Sequence, residues 1–237
     1  MATRQQLAAI APQFGVILEK PVTVFYGLLR IGLFVVAGAS PVLAISLHTF
    51  GLMSIHDAAR FVVIPAAVIA ALLCLMRVPE ASVVVHGLLA GLVGVLAYDG
   101  ARIPFVIAGI WPDFIPQVGA WILGDTEGSN LVVGYAWRWI GDGGGMAVVF
   151  AIGLALLNWS RRPVLTGVCY GIFVWSGLMG TILLSARGSE LLFPITPVNF
   201  VASLTGHLIY GSVLGWTYAR LRRDGAASWG GRWLAGG

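Results

Sequence analysis

Residues 31–52 read IGLFVVAGASPVLAISLHTFGL, twenty-two residues without one Asp, Glu, Lys or Arg. A helix needs ~20 mostly apolar residues to cross the ~30 Å hydrocarbon core of a bilayer, so this stretch is long enough to span it. The same reading recurs at Phe61–Met76, Ser82–Tyr98, Gly144–Trp159, Pro163–Ser185 and Val198–Ala219. The shorter of these fit a tilted helix or a thin bilayer. The whole chain is 58% hydrophobic and 10% charged, whereas a soluble domain is about one quarter charged. The expected fold is all-α: a polytopic membrane helix bundle of about six transmembrane helices. Residues 1–237 then form a single integral membrane domain, with no stretch left over for a separate soluble one.

Charge sets the orientation. Lys and Arg resist translocation, so the face that holds them is cytoplasmic. With the N-terminus inside, segments 1–30, 77–81, 160–162 and 220–237 share one face. They hold Arg4, Lys20, Arg30, Arg77, Arg161, Arg162, Arg220, Arg222, Arg223 and Arg232, ten of the fourteen basic residues. The other face has only Arg60, Arg102, Arg138 and Arg187, together with seven of the ten acidic residues. Six spans with cytoplasmic N- and C-termini satisfy this count, and 221–237 becomes a cytoplasmic tail. The basic excess follows a membrane pattern and does not point to nucleic acid. The partners expected are the lipid bilayer and a membrane-protein partner or a further copy of the chain in a homo-oligomer.

Several local features refine this picture. Leu7, Ile10, Phe14 and Ile17 recur at helical spacing, which suggests a short interfacial helix over 1–20 and not a cleaved signal. Pro41 should kink the first span, because proline removes a backbone donor. Residues 99–143 read as a long outer loop. Its apolar piece Ile103–Leu123 carries Pro104, Pro112, Pro116, Trp111 and Trp121, so it is expected to be interfacial or re-entrant and not a seventh span. Gly87-x-x-x-Gly91, Gly167-x-x-x-Gly171 and Gly211-x-x-x-Gly215 put paired small residues on helix faces, which lets backbones approach. Cys74 and Cys169 fall inside spans and read as packing residues without a disulfide.

Ionisable groups at membrane depth are costly, and each needs an account. In the last span Asn199, Ser203 and His207 follow at i, i+4 and i+8, with Tyr210 close behind. Helical geometry stacks them on one face. Such a stripe either forms a polar track, with His207 as its titrating member, or fixes helix packing by hydrogen bonds. Asp99 with Arg102, and Arg138 with Asp142, have the spacing of local ion pairs at the outer boundary. If they meet, the four make a charged cluster at the mouth of the bundle. Metal-hydrolase spacing is absent, and no metal is expected. Nor is a haem or other cofactor: with ~1.5 Å rise per residue, His48 lies about 6 Å and His207 about 14 Å below the outer boundary, so no two imidazoles match in depth.

Two enzyme readings can be set against the residues. Asp99-Gly100-Ala101-Arg102 is similar to the opening of the motif in membrane enzymes that transfer phosphoalcohols from CDP-linked lipids, but the metal-binding aspartates downstream are missing. Gly206-His207 with Gly211 and Gly215 resembles the last-helix histidine motif of rhomboid-like serine proteases, with one extra residue of spacing. Gly38-Ala39-Ser40 supplies a G-x-S, although on the first span and not the fourth, where that family has its serine. An intramembrane protease using Ser40 and His207 is therefore the alternative to a non-enzymatic role.

The closing fifth of the chain carries Phe193-Pro194-Ile195-Thr196-Pro197-Val198, then Ser203, Gly206-His207-Leu208 and Arg220-Leu221-Arg222-Arg223. This resembles the end of the YagU-like bacterial inner-membrane proteins. The resemblance implies a multi-pass protein of the bacterial cytoplasmic (inner) membrane and brings no reaction with it. The function expected is that of a small transporter or channel-like protein, or of a membrane subunit of a complex, with catalytic residues none.

Overall fold

A computed structural model describes residues 4–157 and 162–223, with side chains from Val24 onward. Among the described residues six helices are long and apolar enough to cross a membrane: Val24–Thr49, Ile55–Leu75, Ala81–Ile107, Leu131–Leu157, Pro163–Leu184 and Pro197–Arg222. They are called the first to sixth spans below, and their even number returns the chain to the face on which it began. The chain is a multi-pass all-α membrane protein. The last residues of the expected tail and the side chains of the expected interfacial helix lie outside the described residues. The backbone of that helix does not stand apart, since one helix runs from Arg4 to Thr49 and continues through Pro41.

Local chemistry sets the span ends. Ser54 caps the second span by accepting a hydrogen bond from the Asp57 amide at 3.0 Å. Asn130 caps the fourth in the same way through the Val133 amide, and Thr196 Oγ1 accepts from the Asn199 amide at the start of the sixth. Each cap satisfies one of the amides that a helix start leaves open. Gly109 ends the third span with φ +70°, a left-handed conformation that glycine adopts without strain.

Two expectations change here. The third span continues past Tyr98 to Ile107, and the fourth begins at Leu131. The supposed loop charges Asp99, Arg102, Arg138 and Asp142 are therefore inside spans. A helix carries such charges when they face each other in the bundle and not the lipid. The apolar piece 103–123 is also not one element. It splits into the end of the third span, a turn, and a separate eight-residue helix, Ile115–Ile122. At ~1.5 Å per residue that helix is only about 12 Å long and cannot span. Trp111 and Trp121 are buried against protein, Trp121 on the His48 ring and Trp111 on Phe193. His56 Nδ1 meets the Ile122 carbonyl at 2.9 Å and holds the small helix over the outer end of the bundle.

Small residues set the packing, because lipid offers no hydrophobic drive for helices to associate. The fifth and sixth spans cross where Gly167 and Gly171 face Gly211 and Gly215, backbone against backbone. The third meets the fourth through Gly87 and Gly91 against Ala147, Ala151 and Gly143, and the first meets the fourth through Gly38 on Gly145. The fourth span is thus central: 61% of its most apolar window is buried, against 17% for the peripheral second span. Tyr98 lies over Gly206 while Tyr210 lies over Gly94, so the third and sixth spans exchange aromatic rings for glycine hollows.

On the inner side Arg30 Nε and Nη2 donate to Glu80 Oε2 and Oε1 at 3.0 and 3.1 Å, tying the first span to the start of the third. Glu80 is 1% exposed. Arg30→Ala leaves that carboxylate unpaired, and we expect it to lower stability by about 2–3 kcal/mol. Thermal unfolding in detergent checks this, with Arg77→Ala as the control, since Arg77 makes no ion pair among the described residues.

Candidate functional site

Asp99 is the hub of the charged side chains. It is 2% exposed, and Arg138 reaches its Oδ1 through Nε at 2.8 Å and Nη2 at 2.7 Å. Trp139 Nε1 donates to Oδ2 at 2.9 Å, and Arg102 Nε approaches Oδ1 at 3.5 Å. Arg102 Nη2 in turn donates to Asp113 Oδ1 at 3.0 Å and to the Tyr135 hydroxyl at 2.9 Å. That hydroxyl donates to Asp113 Oδ2. The two pairs read from sequence therefore meet. Their partners differ from expectation, because Arg138 directs Nε and Nη2 to Asp99 across the helix interface and makes no hydrogen bond to Asp142 in its own helix. Asp113, Tyr135 and Trp139 complete the cluster. No periodic spacing links them to Arg102 or Asp99, so no sequence pattern announces them.

The cluster is also deeper than a mouth. Counting ~1.5 Å per residue from the outer helix ends, Arg102 lies about 8 Å in and Asp99 about 12 Å in, while Asp142 and His207 both lie about 15–17 Å in. The last two share the middle of the membrane. Asp142 belongs to a π-helical stretch, Trp137–Gly145, inside the fourth span. Such widened turns mark functional sites more often than chance. Its three consecutive glycines, Gly143 to Gly145, are buried under neighbouring helices.

Here the helices enclose a cavity of about 390 Å³, walled by the first, third, fourth, fifth and sixth spans. Tyr98, Arg138, Asp142, His207 and Tyr210 line it among many apolar side chains. The Arg138 guanidinium lies 4.6 Å from the Tyr98 ring centre, and His207 meets the same ring edge-on at 5.1 Å. His207 Nδ1 lies 2.8 Å from the Ser203 carbonyl. A carbonyl only accepts, so Nδ1 carries a proton, and in the neutral ring Nε2 keeps a lone pair. Asp142 Oδ1 is enclosed and has no hydrogen-bond partner. A second cavity, about 440 Å³ between the outer ends of the third and sixth spans, is almost wholly apolar. The central one gathers the charged groups and is the candidate site.

The stripe on the sixth span faces inward throughout, with Asn199, Ser203, His207 and Tyr210 all buried. Its members do different work. Asn199 Nδ2 bonds the Pro194 carbonyl, and Ser203 accepts from Trp175 Nε1 at 3.0 Å while donating to the Phe200 carbonyl. These two fix packing and do not line the cavity. Tyr210 donates to the Gly143 carbonyl at 2.7 Å, and His207 is the member whose ring nitrogen is left over for the cavity. Ser40 is buried with its hydroxyl unpartnered and makes no hydrogen bond to His207. Among the described residues no three His, Cys, Asp or Glu side chains converge as a metal site requires.

No curated protein and no solved structure matches the chain. A sequence family matches residues 81–228, more than half of the chain. That stretch contains the whole Asp99 cluster, Asp142 and His207, and every wall of the cavity except the one from the first span. The chain belongs to DUF6789, a family of unknown function.

Proposed function

We propose that this protein is a small carrier of the bacterial cytoplasmic membrane that binds its solute in the central cavity. The observation that carries this reading is the convergence of Arg138, Asp142 and His207 on one cavity at mid-membrane. Ionisable groups at that depth are costly and mark solute or ion pathways, and an apolar pocket with a few convergent polar groups is what a binding site requires. The basic inner face and the YagU-like end support the bacterial inner membrane as its location. A binding role fits these residues better than hydrolysis, since among the described residues no serine hydroxyl pairs with His207.

A carrier exposes its site to each side in turn. With Cys74 and Cys169 replaced by serine, a cysteine at Thr181, toward the outer end of the cavity, and one at Val149, toward the inner end, report this. A membrane-impermeant maleimide added from either side of the membrane is expected to label both positions. If neither reacts from either side, while a cysteine at the exposed Glu127 does, the carrier reading is wrong.

A further inference from the structure

Resting on that carrier reading, we propose that the cavity takes a lipophilic organic monocation, which reaches Asp142 from the bilayer between the first and fifth spans.

Charge selects the class. The cluster holds three carboxylates, Asp99, Asp113 and Asp142, and two guanidiniums, Arg102 and Arg138. Asp99 and Asp113 take up both guanidiniums, which leaves Asp142 as the excess negative charge, with Oδ1 enclosed and undonated. His207, as a neutral imidazole, adds a lone pair at Nε2 and no charge. The first and fifth spans line the cavity without an ionisable side chain. An unpaired carboxylate in a low-dielectric interior is strongly unfavourable, and one positive charge relieves it.

The rest of the wall selects the body of the ligand. Apart from the Ser46 and Thr181 hydroxyls, which bond each other, it is made of side chains such as Val42, Leu43, Met146, Phe173 and Val174, which offer no oxygen to replace the water shell of a small inorganic cation. They suit an apolar body, and the Tyr98 and Tyr210 rings add to the same lining. The route follows from exposure. Leu43 and Phe173 line the cavity yet are 57% and 67% exposed, so the seam between the first and fifth spans is not closed by packing there. Nearer the outer surface the same two helices are fastened by the Ser46–Thr181 hydroxyl pair at 3.0 Å and by Ser185 Oγ donating to the Thr49 carbonyl at 2.7 Å.

A proton satisfies Asp142 as well as a cation does, so the two compete. The groups facing Asp142 are Arg138 on its own helix, Asp99 and Tyr98 from the third span, and His207 and Tyr210 from the sixth. Binding of the cation weakens as pH falls and Asp142 takes up its proton.

Tetraphenylphosphonium and tetraphenylborate, matched in shape and opposite in charge, test this on the full chain in nanodiscs by equilibrium dialysis against empty nanodiscs. The cation is expected to bind the wild type more than about tenfold tighter than the anion, with Asp142→Asn losing most of that preference. Equal binding of the two ions, binding of neither, or an unchanged preference in Asp142→Asn overturns the proposal. Should Asp142→Asn fail to fold, the wild-type comparison of the two ions decides alone. Selective cation binding in a protein whose cavity cysteines stay unlabelled from both sides would retain the site and remove the carrier.

Discussion

Asp99→Ala is expected to abolish the folded protein in mild detergent or to lower its melting temperature further than any other single substitution in the cluster. The residue is 2% exposed and accepts from Arg138, Trp139 and Arg102. Its removal strands Arg138, whose side chain is 13% exposed and has no other bonded carboxylate. Removing one member of a buried pair costs about 3–5 kcal/mol, mostly because a charge is left behind uncompensated. The double substitution Asp99→Ala with Arg138→Met takes away that stranded charge and should recover part of the loss. If Asp99→Ala alone melts like the wild type, the cluster does not hold the third and fourth spans together.

Gly211→Leu is expected to separate the fifth and sixth spans. A Cβ at Gly211 would overlap the Gly167 carbonyl oxygen and crowd Val168 Cα at 3.2 Å. Both obstacles are backbone, so no side chain can swing aside. Overpacking of a well-packed core costs about 1–3 kcal/mol, and a backbone obstacle puts this substitution at or above the top of that range. Gly153→Ala is the control, because a Cβ there meets nothing within 4 Å. Adding one removes backbone freedom from the unfolded chain and should stabilise by about 0.5–1 kcal/mol. Expression and size-exclusion profiles of the two variants should therefore diverge in opposite directions.

The contrast between these sites shows what the residues reveal by themselves. The six apolar runs declare the spans, because lipid admits few charges and a helix needs a fixed length to cross it. The paired glycines declare close packing, and each of the three pairs lies at a helix crossing. The third and fourth spans run past Tyr98 and Gly144, where apolar patterning alone would end them, because the apolar run breaks at the first charges. Asp99, Arg102, Arg138 and Asp142 are tolerable inside helices only through partners on other helices, which no local pattern displays. The stripe from Asn199 to Tyr210 has the spacing of one inward face, and it does face inward. Which members bond to the protein and which are left for a cavity depends on Trp175, Pro194 and Gly143, residues remote in sequence. The π-helical stretch left only a glycine triplet as its trace.

The most direct measurement is the reaction of the membrane-embedded protein with dicyclohexylcarbodiimide, a lipid-soluble reagent that adds to protonated carboxyls, followed by peptide mass spectrometry. The cavity described here, not closed by packing between the first and fifth spans and ending on an undonated carboxyl, predicts a single adduct on Asp142, with Asp99 and Asp113 spared by their guanidiniums and the adduct reduced by tetraphenylphosphonium. An unmodified Asp142 beside a modified Asp99 would contradict it.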